Sequence, residues 1–499
     1  MFPELHNFGK ELSLVMNSGV QFIDFALTIN WKDKEWREKG NGNFVSSAVN
    51  GPLRRLIADK NDEGFCDPSR PGILVRAEQE ISVEQSFKLF DGVWLPIPVL
   101  RTVPPDRFDE GPYNWARVRI VELVDGADPD GHTHRVTFAF DTKIFPNSQD
   151  TAYLAPTNED VRSGVLFGLA HQSDQMSWFL DFNWVNNWLL ELFKELAPEA
   201  NRLKIHPEDL VQEVERKAHQ GHYLNILAIL GSEVALPRIK VVSNKTDDIM
   251  KAIPVDMVLD VGNSRTCGIL IEDHVQEKDG LKKRYELELR DLTNPERIYT
   301  EPFESRVEFA QAFFGKDHWS LQSGRRDAFQ WPTIARIGKE AGRLASRRNG
   351  NEGSTGLSSP KRYLWDLDKY EQMWRFNSAY VKTDHEPYAT AEPLSGLINE
   401  YGEALHILRD DVEEEFERKM PVFQPKYSRS SLMTFMLSEV LMHALMQINS
   451  PAQRAKLEHS RTPRFLRSII LTIPPAMPKP EREIFKNAMY QAIGLVWKS

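Results

Sequence analysis

The chain has 499 residues, with 62 Lys and Arg against 72 Asp and Glu, a formal net charge of −10. That balance argues against general nucleic-acid binding, which needs a basic surface to meet the phosphates. With 41% hydrophobic and 27% charged residues and two cysteines, Cys66 and Cys267, the composition is that of a soluble protein of roughly two to four domains. The cysteines give no disulfide framework and no Cys-based zinc site.

The opening residues, Met-Phe-Pro-Glu-Leu-His, lack the basic start and apolar run of a signal peptide, so a cytoplasmic location is expected. Up to about residue 150, short apolar runs separated by Gly, Pro, Asn and Asp read as strands, at 20–30, 72–76, 93–99, 116–123 and 134–141. The loop 125–134 gathers Asp128, Asp130, His132 and His134 but fits neither the calcium-loop spacing nor a zinc pattern. It reads as a solvated turn between two strands.

From Asn158 the pattern turns helical: a helix beginning at 158 and continuing through Val165, Leu166 and Leu169, then a second over 176–196. The second carries Trp184, Trp188, Leu189, Leu192, Phe193 and Leu196 on one broad face and reads as core rather than a base-stacking surface. A charged surface helix over 207–218 follows, then apolar runs at 226–230 and 237–242 and a polar junction at 244–248. Residues 1–245 thus read as a β-rich α+β region with no defensible site, and 250–499 as a second unit.

That second unit opens on Val-Asp-Met-Val-Leu-Asp-Val-Gly-Asn-Ser-Arg-Thr-Cys-Gly-Ile-Leu-Ile-Glu, residues 255–272. Two apolar strands joined by a tight polar turn predict a β-hairpin. Its turn can present backbone N–H groups to an anion, with Gly262 allowing close approach. Further strands are expected at 284–292 and 303–309, and a strand turning into a helix at 334–341. The Gly338-Lys339 pair lacks the rest of a Walker loop, and 350–356 reads as flexible linkage. Residues 394–419 are expected to form an amphipathic helix with a solvated acidic cluster at Glu413, Glu414 and Glu415. A buried helix at 428–448, interrupted by Glu439, His443 and Gln447, fits a soluble core better than a membrane span. Last come a buried strand at 468–473, prolines, and a helix from Pro480 in which Ala488 and Ala492 allow close packing and Gly494 would cap the end.

Asp260, Gly262, Asn263, Ser264 and Thr266 resemble the first phosphate motif of the actin, Hsp70 and sugar-kinase superfamily, Asp-x-Gly-(Thr/Asn/Ser)-(Thr/Ser)-x-x-(Thr/Ser). Lys361-Arg362-Tyr363-Leu364 is similar to the Hsp70 segment whose lysine reaches the nucleotide phosphates. The stretch from Ile469 through Gly494 resembles the Hsp70 connecting segment, with Ile-Pro-Pro-Ala-Met departing from the family in the turn. The three occur in the family's order. The resemblance implies an α/β fold, the first lobe of an actin-like, ribonuclease H-like ATPase, behind the β-rich leader. The combination of leader and hairpin also resembles the bacterial virulence-factor SrfB family, which implies a chain about twice as long.

The resemblance further implies ATP and Mg²⁺ as ligands. Asp260 would orient a magnesium-bound water, Gly262, Asn263, Ser264 and Thr266 would hold phosphate oxygens, and Lys361 would stabilise the transferring phosphoryl group. No second Asp-x-Gly-Gly loop occurs in the sequence. The expectation is therefore the N-terminal part of a larger protein, inactive alone until its C-terminal lobe completes the cleft. Two other readings stand beside ATP hydrolysis: a non-catalytic assembly or interaction protein that keeps the fold, and a small-molecule kinase of the same superfamily.

Overall fold

The structure is a computed structural model. It describes residues 1–499 except 48–49, 60–63, 105–106, 110, 146–151, 200–201, 245–251, 275–281, 316, 380–384, 409–415 and 457–458. The expected junction at 244–248, apart from Asn244, and the cluster Glu413–Glu415 lie outside the described residues.

The first half builds on strands whose apolar residues alternate or run continuously. Strands β1 (Glu11–Val15), β2 (Val20–Leu27), β3 (Trp94–Pro96), β4 (Val99–Val103), β5 (Ala116–Glu122), β6 (His134–Asp141), β7 (Leu166–Leu169) and β8 (Arg238–Val242) form two sheets. One runs β1–β8–β7–β4 with Arg107–Phe108 at its far side; the other is the antiparallel set β2–β6–β5–β3. Strand β6 is buried at all eight positions, as a central strand covered on both faces must be. A third sheet joins short strands between Asn41 and Ser82. Helices α1 (Ser173–Asp181), α2 (Asn183–Leu196) and α3 (Ala218–Glu233) supply Phe179, Trp184, Trp188, Phe193, Tyr223 and Leu227 to the same core.

Three expectations change here. The helix beginning at Asn158 stops at Ser163, because Gly164 adopts φ +65 and donates its N–H back to Asp160 and Val161, a left-handed cap. Leu166 and Leu169 belong to β7 instead. The long tryptophan helix is two helices, broken where Phe182 takes ψ 121. In the loop 125–134, Asp128 is buried against Arg135, 2.7 Å away, so this turn is anchored rather than simply solvated.

In the second half, β9 (Ile253–Val261) and β10 (Arg265–Asp273) pair antiparallel from Val255↔Glu272 to Val261↔Thr266, as the hairpin reading requires. With β11 (Lys282–Glu286) and β14 (Arg464–Leu471) the sheet runs β11–β10–β9–β14, β14 lying parallel to β9. Strands β12 (Arg306–Phe309) and β13 (Ala335–Ile337) form a smaller sheet with Gly356–Ser358, and β13 runs straight into helix α4 (Gly338–Ser346). Helices α5 (Ser431–Asn449) and α6 (Lys479–Lys498) pack on one face of the hairpin sheet, burying Val255, Met257, Leu259 and Val261 with Ala488 and Ala492. Helix α5 is long and apolar enough to cross a membrane, yet every residue but Leu445 is buried inside the fold.

The segment 350–356 is held, not free: Thr355 is buried on Glu308, and a Cβ at Gly356 would lie 2.3 Å from the Val307 carbonyl. Glycine there serves close approach. Among the described residues, the long helix expected over 394–419 is not formed across 394–404. Asn399 accepts the N–H groups of Tyr401 at 2.9 Å and Glu403 at 3.0 Å, and Gly402 takes φ +80, which turns the chain. Short helical turns at Leu394–Gly396, Leu405–Leu408 and Phe416–Lys419 remain. Gly494 caps nothing: it lies inside α6, where a Cβ would meet His406 at 2.0 Å.

A third apolar cluster joins the halves, setting Phe22, Trp94 and Ala139 against Leu292, Phe314, Phe329, Trp331 and Met442. Buried ion pairs line the same seam: Arg290 with Asp24 at 2.7 Å, Arg325 with Asp141 at 2.9 Å and Arg119 with Glu296 at 2.8 Å.

Three histidines of the first half are buried neutral. Burial depresses His134 and His219 to about 4 and His222 to about 3. Their unfolded forms bind protons below about pH 6.5 while the folded forms do not, so stability falls as pH drops from 6.5 toward 4. Each contributes a slope of about 1.4 kcal/mol per pH unit in that window. His222→Asn, which can still meet Ser86, should reduce that slope by one histidine's share in denaturant titrations at pH 7, 6 and 5. An unchanged slope would show that His222 charges in the folded state.

A second expectation concerns Arg336 and Glu439, fully buried and 2.6 Å apart. Arg336→Met should cost about 3–5 kcal/mol, because it strands the Glu439 carboxylate. Adding Glu439→Leu should restore part of the loss. Urea midpoints of the two variants check the order.

Candidate functional site

Strand β9 alternates strictly, its even positions facing away from the helices, and this alternation leaves Asp260 exposed at the strand end. The hairpin closes where the Gly262 N–H donates to the Arg265 carbonyl at 2.8 Å, putting Asn263 and Ser264 at an exposed tip. A Cβ on Gly262 would lie 2.7 Å from that carbonyl oxygen, so the closure requires glycine.

Thr266 is turned inward: its hydroxyl meets that of Ser305 at 2.9 Å. The Ser305 hydroxyl donates to the Gly262 carbonyl at 2.8 Å, and its N–H to the Ser264 carbonyl at 3.0 Å. Ser305 therefore clamps the loop from behind. Its own carbonyl accepts the Ser359 N–H at 2.6 Å, which fixes the start of the 3₁₀ turn Pro360–Tyr363.

That turn carries Lys361. Its Nζ donates to the Val261 carbonyl at 2.6 Å and sits 5.1 Å from the centre of the Phe485 ring. Burial lowers its pKa from the ordinary lysine value, against the opposing pull of the Asp260 and Glu481 carboxylates. Glu481 stands in the first turn of α6. From the other side, Thr472 just beyond β14 donates its hydroxyl to Asp260 Oδ1 at 2.5 Å, while its N–H continues the ladder to the Leu259 carbonyl.

Residues from four stretches of chain, around 260–266, 305, 361 and 472–481, thus converge on one end of the sheet. Asp260, Gly262, Asn263, Ser264, Thr266 and Lys361 come together there. Asp260 and the tip face outward; the Thr266 hydroxyl and the Gly262 N–H are committed inward. Sequence reasoning missed Ser305, Thr472 and Glu481. Thr472 carried a signal, a hydroxyl at the end of a strand parallel to β9. Ser305 carried none, since nothing local marks a serine that works on a loop 39 residues away. Among the described residues, no group of three or more His, Cys, Asp or Glu side chains could hold a metal directly.

No curated protein matches the chain. The model of one family, described as virulence factor SrfB, matches residues 1–499, so the β-rich leader and the hairpin unit fall together inside it. The chain belongs to the SrfB virulence factor family.

Proposed function

We propose that the hairpin end of the β9–β10 sheet is one face of an ATP–Mg²⁺ site, in a lobe of actin/Hsp70 kind spanning about 250–499, behind a leader of 1–245. The observation that carries this reading is the contact of Lys361 with Val261, which sets a buried ammonium beside the Asp260 loop from 100 residues away in sequence. A cation placed there meets the negative charge of a phosphate whose oxygens occupy the loop.

In this reading Lys361 exchanges the Val261 carbonyl for a phosphate oxygen. Asn263 and Ser264 supply exposed donors at the tip, Gly262 lets a phosphate approach, and Thr266 with Ser305 holds the loop's shape. Asp260 is a single exposed carboxylate with one oxygen held by Thr472, which suits contact to a hydrated magnesium ion through water better than direct ligation. Mg²⁺ would supply charge neutralisation on the phosphates. The opposite face of the cleft would come from a C-terminal lobe, and the protein would work in the cytoplasm.

A second reading, an assembly protein that keeps the fold without turnover, draws on the internal commitment of the Gly262 N–H, the Thr266 hydroxyl and Lys361. The two part on one measurement. ATP with Mg²⁺ at about 100 times its Kd should raise unfolding stability by about 2.7 kcal/mol. Asp260→Ala and Lys361→Ala should each remove most of that gain. Absence of any gain in the protein bearing both lobes, or gain untouched by both changes, would leave the assembly reading.

A further inference from the structure

The stretch 290–298 is what the second half extends to the leader. The Arg290 guanidinium binds Asp24 on β2 through both nitrogens, at 2.9 Å and 2.7 Å, and also donates to the Pro295 carbonyl at 2.7 Å. Glu296 takes Arg119 of β5 at 2.8 Å, and the Ile298 carbonyl accepts the Met1 amine at 3.0 Å. Arg290 thus reaches the leader with its guanidinium resting on the loop's own backbone, so its aim depends on the loop's shape.

That shape is fixed from within by Asp291, buried at the loop's start. Its carboxylate accepts the N–H groups of Thr293 at 3.1 Å and Asn294 at 2.8 Å, the Tyr299 hydroxyl at 3.0 Å and Arg343 of α4 at 2.6 Å. A second buried carboxyl, Glu340, stands in the first turn of α4 and accepts the same Thr293 N–H at 3.0 Å. The Thr293 hydroxyl lies 2.8 Å from Asp291 Oδ1 and 3.1 Å from Glu340 Oε1.

One hydroxyl proton cannot serve two carboxylates. Both contacts are satisfied when Glu340 carries a proton: its O–H donates to the Thr293 oxygen, and the Thr293 O–H donates to Asp291. The charges agree. Among the described residues Glu340 has no ion-pair partner, since Arg343 meets Asp291 and Arg336 meets Glu439. Tyr299 also faces it; on the strands against α4, Glu304 is exposed and Glu308 lies 3.7 Å from Arg306. The start of α4 favours a carboxylate. Burial, and then the Asp291 charge, outweigh that and push the Glu340 carboxyl up to about 8.

We propose that Asp291, Thr293 and Glu340 form a proton-operated latch between the two halves. With the proton on Glu340, Thr293 ties the loop to α4 and the loop holds Asp24 and Arg119. When that proton passes to water, two carboxylates compete for one hydroxyl and repel, and the loop slackens its hold on the leader. The latch goes beyond the nucleotide reading and does not depend on it. The folded chain keeps a proton that the unfolded chain releases near the ordinary 4.5, so the latch's contribution is complete below that pH and is lost as pH rises through about 8.

The test is amide hydrogen exchange of the 499-residue chain, expressed as protection factors at pH 7, 8 and 9. In the wild type, protection over 290–298 and over β2 should fall about 10-fold from pH 7 to 9, following the protonated fraction of a group titrating at about 8. Strands β7 and β8, in the other sheet of the leader, should hold steady. Glu340→Gln keeps the shape and cannot ionise; it should match the wild type at pH 7 and stay level to pH 9. Asp291→Asn leaves one carboxyl for one arginine and should also stay level, and it decides the matter if Glu340→Gln does not fold by circular dichroism. A wild type whose protection is level from pH 7 to 9 overturns the proposal. So does an equal fall in either folded variant. A fall over 290–298 with β2 unmoved would mean a titrating loop that does not hold the leader, and overturns it too.

Discussion

The carboxylate of Glu439 has no route to water, and much of the second half is arranged to satisfy it. It sits in the middle of α5, a helix buried on all sides, where an unpaired charge would not survive. Arg336 from β13 reaches it at 2.6 Å, Trp331 Nε1 donates at 2.9 Å, Thr333 donates its hydroxyl, and His443 lies one helical turn on. Burial pushes this carboxyl up, yet Arg336 and the surrounding donors hold it below the usual range. An apolar helix alone could slide or rotate against its neighbours at small cost. Several directional partners allow one register, and that register sets β13 and the hairpin sheet around α5.

The same logic extends across the seam between the halves. Arg290 stands near α5, its N–H meeting His443 and its guanidinium binding Asp24 through both nitrogens. Asp24 lies on β2, in the antiparallel sheet of the leader. The apolar cluster around Phe314 and Phe329 shields these charges, and Arg117 stacks 4.0 Å from the Phe329 ring centre while reaching the Phe314 carbonyl. Such pairs are poor sources of net stability but costly to break, so they specify geometry. The leader is thus bound to the hairpin unit through a desolvated, charge-matched surface.

On that frame the loop at 260–266 is held from three directions. Ser305 fixes it from behind, Thr472 holds Asp260 from β14, and Lys361 rests on the carbonyl that precedes the turn. Each contact leaves the tip itself exposed. The loop is thereby ordered by contacts of its own chain, with Asn263 and Ser264 left exposed at its tip.

Local and periodic signals were legible in the residues. Alternation in 255–272 indicates the hairpin, helical spacing in 432–448 indicates a core helix, and small residues at 488 and 492 allow its close contact with α6. Lys361 meets the Val261 carbonyl beside Asp260 across 100 residues, a contact that no local period carries. Where the structure departs, a side chain or a glycine overrides the period: Gly164 ends one helix, Asn399 and Gly402 turn the chain early in the stretch expected as another, and His406 explains Gly494. Ser305 and the Arg290–Asp24 pair lay beyond the sequence altogether. Periodicity records which side of an element is apolar, and that much is written in the residue order. Which donor meets which buried charge across hundreds of residues depends on how those elements pack, because distance along the chain says nothing about which faces come together.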